Sequence, residues 1–144
     1  GPQKNKIITF VRANNLSANV KVMDYITEQQ KEDIFLVSDV FILNSTVESF
    51  GIALIEAVSH GLFIITTPVG IASEAEDVFN DKNCIRVPIG DTKALKDAIL
   101  SVLDGKMDIE STREKNFNDF KVRFDVEHFF EKLRLIYEEV LNNN

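Results

Sequence analysis

Two short, continuous apolar segments constrain the fold of this chain more than any other feature. They are Val40–Leu43 and Phe63–Thr66, and each has the length of a buried strand. Between them, Ile52–Ser59 has helical spacing, and Gly61 follows at a position where glycine commonly ends a helix. Apolar strands that are joined through helices predict a parallel sheet that is covered by helices on both faces.

Weaker signals of the same alternation precede this unit. Residues 6–14 and a segment that starts at Thr27 have helical periodicity, and a short β-branched run at residues 20–23 lies between them. Gln30 stands three residues after Thr27, which is the spacing of a capping box. Further along the chain, residues 85–87 predict another, shorter strand.

The last third of the chain is predicted to be helical. Asp91 is predicted to cap a helix that extends through Leu103. Two more helical stretches follow, and the last of them runs from about residue 126 to residue 141. These signals together predict a three-layer α/β fold with C-terminal helices. Ligands of such sheets bind beyond the carboxyl ends of the strands.

Composition excludes several other classes of protein. The chain has 144 residues, of which 44% are hydrophobic and 27% are charged, as in an ordinary globular domain. Its net charge of −7 disfavours nucleic acid as a partner. No apolar stretch reaches the roughly 18 residues of a membrane span. The single cysteine excludes an internal disulfide and favours a reducing, cytoplasmic location.

One segment, residues 44–57, has the features of a ligand site. It leaves the strand Val40–Leu43, crosses a polar loop and enters the helix Ile52–Ser59. A helix N-terminus has free N–H groups and a partial positive charge, so it can hold an anion without a basic side chain. Gly51 would let such a ligand approach the backbone closely.

Two carboxylates flank this helix start. Glu48 and Glu56 stand at the spacing E-x7-E. They are poor ligands for a phosphate but suitable acceptors for the hydroxyl groups of a sugar. At this point the chain resembles the retaining glycosyltransferases with the GT-B fold, and most closely glycosyltransferase family 4, also called group 1.

The resemblance extends to an ordered set of neighbouring motifs. Residues 48–51 are similar to the family's E-x-F-G, and residues 56–61 to its E-A-x3-G turn. Residues 67–70 resemble its T-x-V-G loop, and residues 87–91 its V-P-x-G-D entry into the next helix. The whole ordered set is much more specific than an isolated E-x7-E.

The resemblance implies a Rossmann-like domain and a role for each site residue. Glu56 would bind the ribose hydroxyls of a nucleotide-sugar donor, and Glu48, the catalytic candidate, would lie beside the donor sugar. The family's reaction retains the anomeric configuration and uses no metal in the active site, and no cofactor is expected. The adjoining substrate-binding residues, which would face the sugar and the diphosphate, are Ser49, Phe50, Gly51 and Ile52.

The resemblance also implies that residues 1–144 are part of a C-terminal nucleotide-sugar-binding domain. The family's first strand region, with an Arg and a Lys for the diphosphate, and its N-terminal acceptor domain are expected to be absent. No Lys or Arg lies between Lys31 and Lys82, so the matched motifs do not supply this basic clamp. We therefore expect no sugar transfer by the chain alone, and apolar surface left exposed on the last helices.

Three functions are compatible with the sequence. The first is the donor-binding part of a glycosyltransferase that transfers a hexose-type sugar to an acceptor. The second is a related GT-B nucleotide-sugar epimerase, and the third is a non-catalytic binding domain on the same fold. The E-x-F-G and E-A context favours the first. Peripheral membrane association is an expectation for the full-length protein only.

Overall fold

The computed structural model describes residues 1–75, 78–124 and 126–142. The chain divides into two compact units, Gly1–Ile34 and Phe35–Asn144. The first unit contains helix α1 (Lys4–Ala13), and helix α2 (Glu28–Leu36) runs across the boundary between the two units. All the candidate site residues belong to the second unit.

The first unit confirms two helix predictions and corrects one prediction. The N–H of Thr27 donates to Oε1 of Gln30 at 2.9 Å, and the N–H of Gln30 donates to Oγ1 of Thr27 at 3.2 Å, which is the predicted capping box. The strand signal at residues 20–23 is wrong, because this segment has no regular secondary structure. The first unit contains no strand that could pair with it.

The second unit is built on a parallel sheet of three strands. Strand β1 (Val40–Leu43), strand β2 (Phe63–Thr66) and strand β3 (Cys84–Arg86) lie side by side in chain order. Both pairings are parallel. The predicted β1 and β2 are confirmed to the residue, while β3 begins one residue before the predicted segment. The three carboxyl ends therefore meet at one edge of the sheet.

An α-helix connects β1 to β2, a 3-10 turn lies between β2 and β3, and, among the described residues, three more helices follow β3. Asp91 caps the helix after β3, because its side chain accepts a hydrogen bond from the N–H of Ala94 at 2.9 Å. This confirms the predicted cap. The helical elements are α3 (Ile52–Ser59), a short 3-10 turn (Gly70–Ser73), α4 (Thr92–Leu103), α5 (Ile109–Phe124) and α6 (Val126–Asn142).

The core consists of two clusters of buried side chains, one on each face of the sheet. Ile64 of β2 packs in one cluster with Leu54 and Val58 of α3. Its neighbours along the strand, Phe63 and Ile65, belong to the other cluster, together with residues of α4. Successive side chains of a strand point to opposite faces, so β2 is buried on both sides. This arrangement confirms the predicted three-layer fold.

The last helix exposes apolar side chains, as the sequence led us to expect. Phe129, Phe130 and Tyr137 of α6 are 60%, 59% and 63% exposed, respectively. No described helix is both long enough and apolar enough to cross a membrane.

A buried pair of asparagines ties α5 to the loops of the sheet. The side-chain amide of Asn83 donates to the Asn116 side-chain oxygen at 2.6 Å and to the carbonyl of Val78 at 2.7 Å. The amide of Asn116 in turn donates to the carbonyl of Leu62, just before β2, at 2.9 Å. Both asparagines are buried, so each of these hydrogen bonds replaces contacts with water that folding removes.

We expect the substitution Asn116→Leu to lower the free energy of unfolding by about 3 kcal/mol, because it removes the buried hydrogen bonds that Asn116 makes with the Leu62 carbonyl and the Asn83 amide. Asn118→Leu is the matched control, since Asn118 is exposed on the same helix. That control should change stability by at most about 0.5 kcal/mol. Urea unfolding measures both variants, and equal effects of the two substitutions would contradict the assignment of a structural network.

Candidate functional site

The candidate site lies at the edge of the sheet where the strands end. The loop of residues 44–51 follows β1, and the loop of residues 67–69 follows β2. Because β1 and β2 are parallel neighbours, these two loops emerge next to each other. This is the edge at which ligands of open α/β sheets bind.

Two hydrogen bonds join the β1–α3 loop to the segment that follows β2, which comprises the loop of residues 67–69 and the 3-10 turn after it. The hydroxyl group of Thr67 donates to the carbonyl of Ser45 at 2.6 Å. The N–H of Ile71 donates to the carbonyl of Phe50 at 2.8 Å. The first bond holds the start of the β1–α3 loop, and the second holds its end.

Glu48 lies between two glycines at this edge. A Cβ atom on Gly70 would lie 3.2 Å from Cγ of Glu48 and 2.7 Å from the carbonyl oxygen of Phe50. A Cβ atom on Gly51 would lie 3.4 Å from the same Cγ. Both glycines have positive φ, at +56° for Gly70 and +92° for Gly51. The absence of these two side chains makes room for the side chain of Glu48, which is half-buried.

The N-terminus of α3 lies at the same place and has no side-chain cap. Gly51 is the N-cap, and no side chain caps this end of the helix. The N–H of Leu54 makes the first hydrogen bond of the helix, to the carbonyl of Gly51 at 2.9 Å. Phe50 and Ile52, on either side of Gly51, are 51% and 65% exposed. An uncapped helix start of this kind can attract an anion through its partial positive charge.

Glu56 lies about one turn further along α3. It follows Ile52 by four residues, which is about 6 Å along the helix axis. Its side chain is half-buried, and its backbone carbonyl accepts hydrogen bonds from Oγ of Ser59 at 2.7 Å and Nδ1 of His60 at 2.8 Å. The side chains of Ser59 and His60 thus form hydrogen bonds at the C-terminal end of α3, whereas no side chain caps its N-terminus.

The structure brings most of the predicted site residues together. Glu48, Gly51 and the backbone of Phe50 are in close contact around Gly70. Ser49 is exposed on the same loop, and Ile52 begins the helix. Glu56 lies on the same helix, one turn after Ile52.

Sequence reasoning missed an anchor next to the site. Arg86, at the end of β3, donates from Nε to the carbonyl of Ala72 at 2.8 Å and from its guanidinium to the carbonyl of Phe79. It thereby holds the 3-10 turn that begins at Gly70. In the sequence, the only indication of this role is that Arg86 stands between the two apolar residues of the predicted strand at 85–87.

The only cysteine of the chain, Cys84, is not a reactive centre. Burial raises the pKa of the Cys84 thiol to about 11, so at neutral pH it stays protonated and is a poor nucleophile. Within the described residues, no three His, Cys, Asp or Glu side chains are grouped so that they could hold a metal ion.

A search against protein families gives a match over most of the chain. The family model described as glycosyl transferases group 1 matches residues 1–119. The chain belongs to this family. The open helix start and the two glutamates are therefore read as parts of a group 1 glycosyltransferase domain.

Curated relatives agree with this assignment. The chain is 27% identical over 143 residues to the O-antigen biosynthesis glycosyltransferase WclY of Escherichia coli, which covers 99% of the chain and 37% of that protein. It is 23% identical over 144 residues to the phosphatidylinositol N-acetylglucosaminyltransferase gpi3 subunit of Schizosaccharomyces pombe, over 100% of the chain and 31% of that protein. The chain thus spans about a third of the length of these relatives.

A solved structure has the same fold. Sucrose-phosphate synthase from Thermosynechococcus elongatus superposes with a TM-score of 0.73 at 21% sequence identity, over 100% of this chain and 36% of that one. At this identity the likeness concerns the fold, which is the Rossmann-like three-layer domain predicted from the sequence.

The contact between the two loops can be tested at Gly70. Gly70→Ala should lower the free energy of unfolding by about 2–4 kcal/mol, because it adds a clash with the Phe50 carbonyl to the strain of a positive φ. Gly105→Ala is the control, since Gly105 has a φ of +69° and open space around its Cα. That variant should lose only about 1–2 kcal/mol. Chemical denaturation compares them, and equal losses would show that the close approach at Gly70 carries no cost.

Proposed function

We propose that this chain is the nucleotide-sugar donor-binding part of a retaining, family 4 glycosyltransferase. It would bind a nucleotide-diphosphate sugar, and the whole protein would transfer a hexose-type sugar to an acceptor. Membership of the group 1 family supports the reaction class. The observation that carries the proposal is the packing of Glu48 between Gly51 and Gly70 beside the uncapped start of α3.

The diphosphate would bind at the start of α3. The amides of Phe50, Gly51 and Ile52, around the uncapped helix start, would be the hydrogen-bond donors. The leaving nucleotide diphosphate gains negative charge as the bond to the sugar breaks, and fixed N–H dipoles stabilise such developing charge. No metal or cofactor is needed in this proposal.

The two glutamates would bind the two ends of the donor. Glu48 is held beside the helix start, so its carboxylate would accept a hydrogen bond from the donor sugar. Glu56 lies about 6 Å further along the helix axis, a spacing comparable with the step from the diphosphate to the ribose. A carboxylate that accepts two ribose hydroxyls makes charge-assisted hydrogen bonds.

The remaining parts of the reaction would come from the rest of the protein. The chain has a net charge of −7 and no basic residue between Lys31 and Lys82, so a basic clamp on the diphosphate would come from outside this segment. An acceptor domain would close the cleft, and without it the chain alone would transfer no sugar. We also propose that the protein acts in the cytoplasm, with no nucleic-acid partner and with any membrane association peripheral.

The relatives suggest which donors to try first. One relative is named for O-antigen biosynthesis and another for the transfer of N-acetylglucosamine. A panel of UDP-glucose, UDP-N-acetylglucosamine, GDP-mannose and ADP-glucose therefore samples both the base and the sugar. Isothermal titration calorimetry with this panel identifies the donor that binds best.

With that donor, Glu56→Gln should weaken binding by roughly 10- to 100-fold, because an amide cannot replace both charge-assisted hydrogen bonds to the ribose. The melting temperature should stay nearly unchanged, since Glu and Gln are both good helix formers. Glu139→Gln, at an exposed position of α6, is the matched control and should bind as the unmodified chain does. Equal affinity of the Glu56→Gln variant and the unmodified chain would refute the ribose role.

A further inference from the structure

We propose that Thr67 is a positioning residue of the donor site. Its hydroxyl group would hold the β1–α3 loop, and with it Glu48, in the geometry that binds the donor. Thr67 would not itself touch the donor. The inference rests on the proposed function in so far as it concerns donor binding, while the loop contact that it invokes is measured independently.

Thr67 donates two hydrogen bonds to the segment in which the chain leaves β1, residues 43–45. Its N–H donates to the carbonyl of Leu43, the last residue of the strand, at 3.2 Å. Its hydroxyl donates to the carbonyl of Ser45 at 2.6 Å, and the whole residue is fully buried. A single buried residue of the neighbouring loop therefore sets the direction in which the chain leaves the sheet.

Glu48 lies between this attachment and a second one. The loop is held near its start at Ser45 and near its end at Phe50, whose carbonyl accepts from the N–H of Ile71. Only a few residues separate these two points, so the backbone at Glu48 has little freedom while both are intact. Loss of the Thr67 hydroxyl would free one end of the loop and leave the Ser45 carbonyl without this partner.

The preceding residue provides a natural comparison. Thr66 is also fully buried, but its hydroxyl donates to the carbonyls of Leu43 and Thr67, at 3.0 and 3.1 Å, and not to the β1–α3 loop. Two adjacent buried threonines thus differ in what they hold: Thr66 holds the ends of the strands, and Thr67 holds the loop of the candidate site. Replacing each by valine keeps the shape and removes one hydroxyl group.

The test compares Thr67→Val, Thr67→Ser and Thr66→Val with the unmodified protein. Amide hydrogen exchange reports on the loop through the N–H of Ile71, which bonds to Phe50, and on the sheet through the N–H of Val87, which bonds to the carbonyl of Thr66 at 2.8 Å. In Thr67→Val, exchange at Ile71 should accelerate about 10-fold relative to Val87. Thr67→Ser, which keeps the hydroxyl, and Thr66→Val should leave this ratio unchanged.

Binding of the best donor of the panel completes the test. Thr67→Val should weaken it by about 5- to 10-fold, and Thr67→Ser should restore it to within about twofold. Equal acceleration at Ile71 and Val87, or unchanged donor affinity in Thr67→Val, would overturn the proposal, because the residue would then serve general stability alone. If the unmodified protein binds no nucleotide sugar, the proposed function fails, and the exchange ratio alone decides whether Thr67 holds the loop.

Discussion

The parallel pairing of β1 with β2 is the interaction on which the rest of the site depends. It brings the two strand ends to one edge of the sheet, so the loops that follow them are in contact. The contact is close enough that Gly70 has no room for a side chain beside the carbonyl of Phe50. In turn, this closeness leaves Glu48 in a narrow gap at the start of α3. Both faces of the central strand are buried, so the sheet that sets this geometry is also the core of the unit.

The same geometry is the basis for the proposal that an acidic domain binds an anionic ligand. The chain carries a net charge of −7, yet the start of α3 offers backbone N–H groups with no side chain across them. Backbone dipoles are a local attraction that net charge does not abolish. The start of α4 differs, because the carboxylate of Asp91 already occupies it. Of these two helix starts in the second unit, only that of α3 combines an open end with neighbouring carboxylates, which suits a nucleotide sugar.

The sequence predicts those parts of the structure that depend on local pattern. Continuous apolar runs predict β1 and β2, and Asp91 predicts the cap of α4. The site around Glu48 stays a prediction. The strand signal at residues 20–23 fails because a strand needs a partner, and none is available within its unit. The hydrogen bond from Thr67 to Ser45 and the buried amide pair could not be predicted, because they join groups that are distant along the chain, in positions that only packing defines.

The central claim is that the start of α3 binds the diphosphate of a nucleotide sugar. It is tested most directly by the amide chemical shifts of 15N-labelled protein during titration with UDP-N-acetylglucosamine, GDP-mannose and ADP-glucose. We expect the largest saturable changes at the amides of Phe50, Gly51 and Ile52, and small changes at Ala94, whose N–H is already bonded to Asp91. Saturable changes that leave the start of α3 unaffected, or no binding of any donor, would contradict the account.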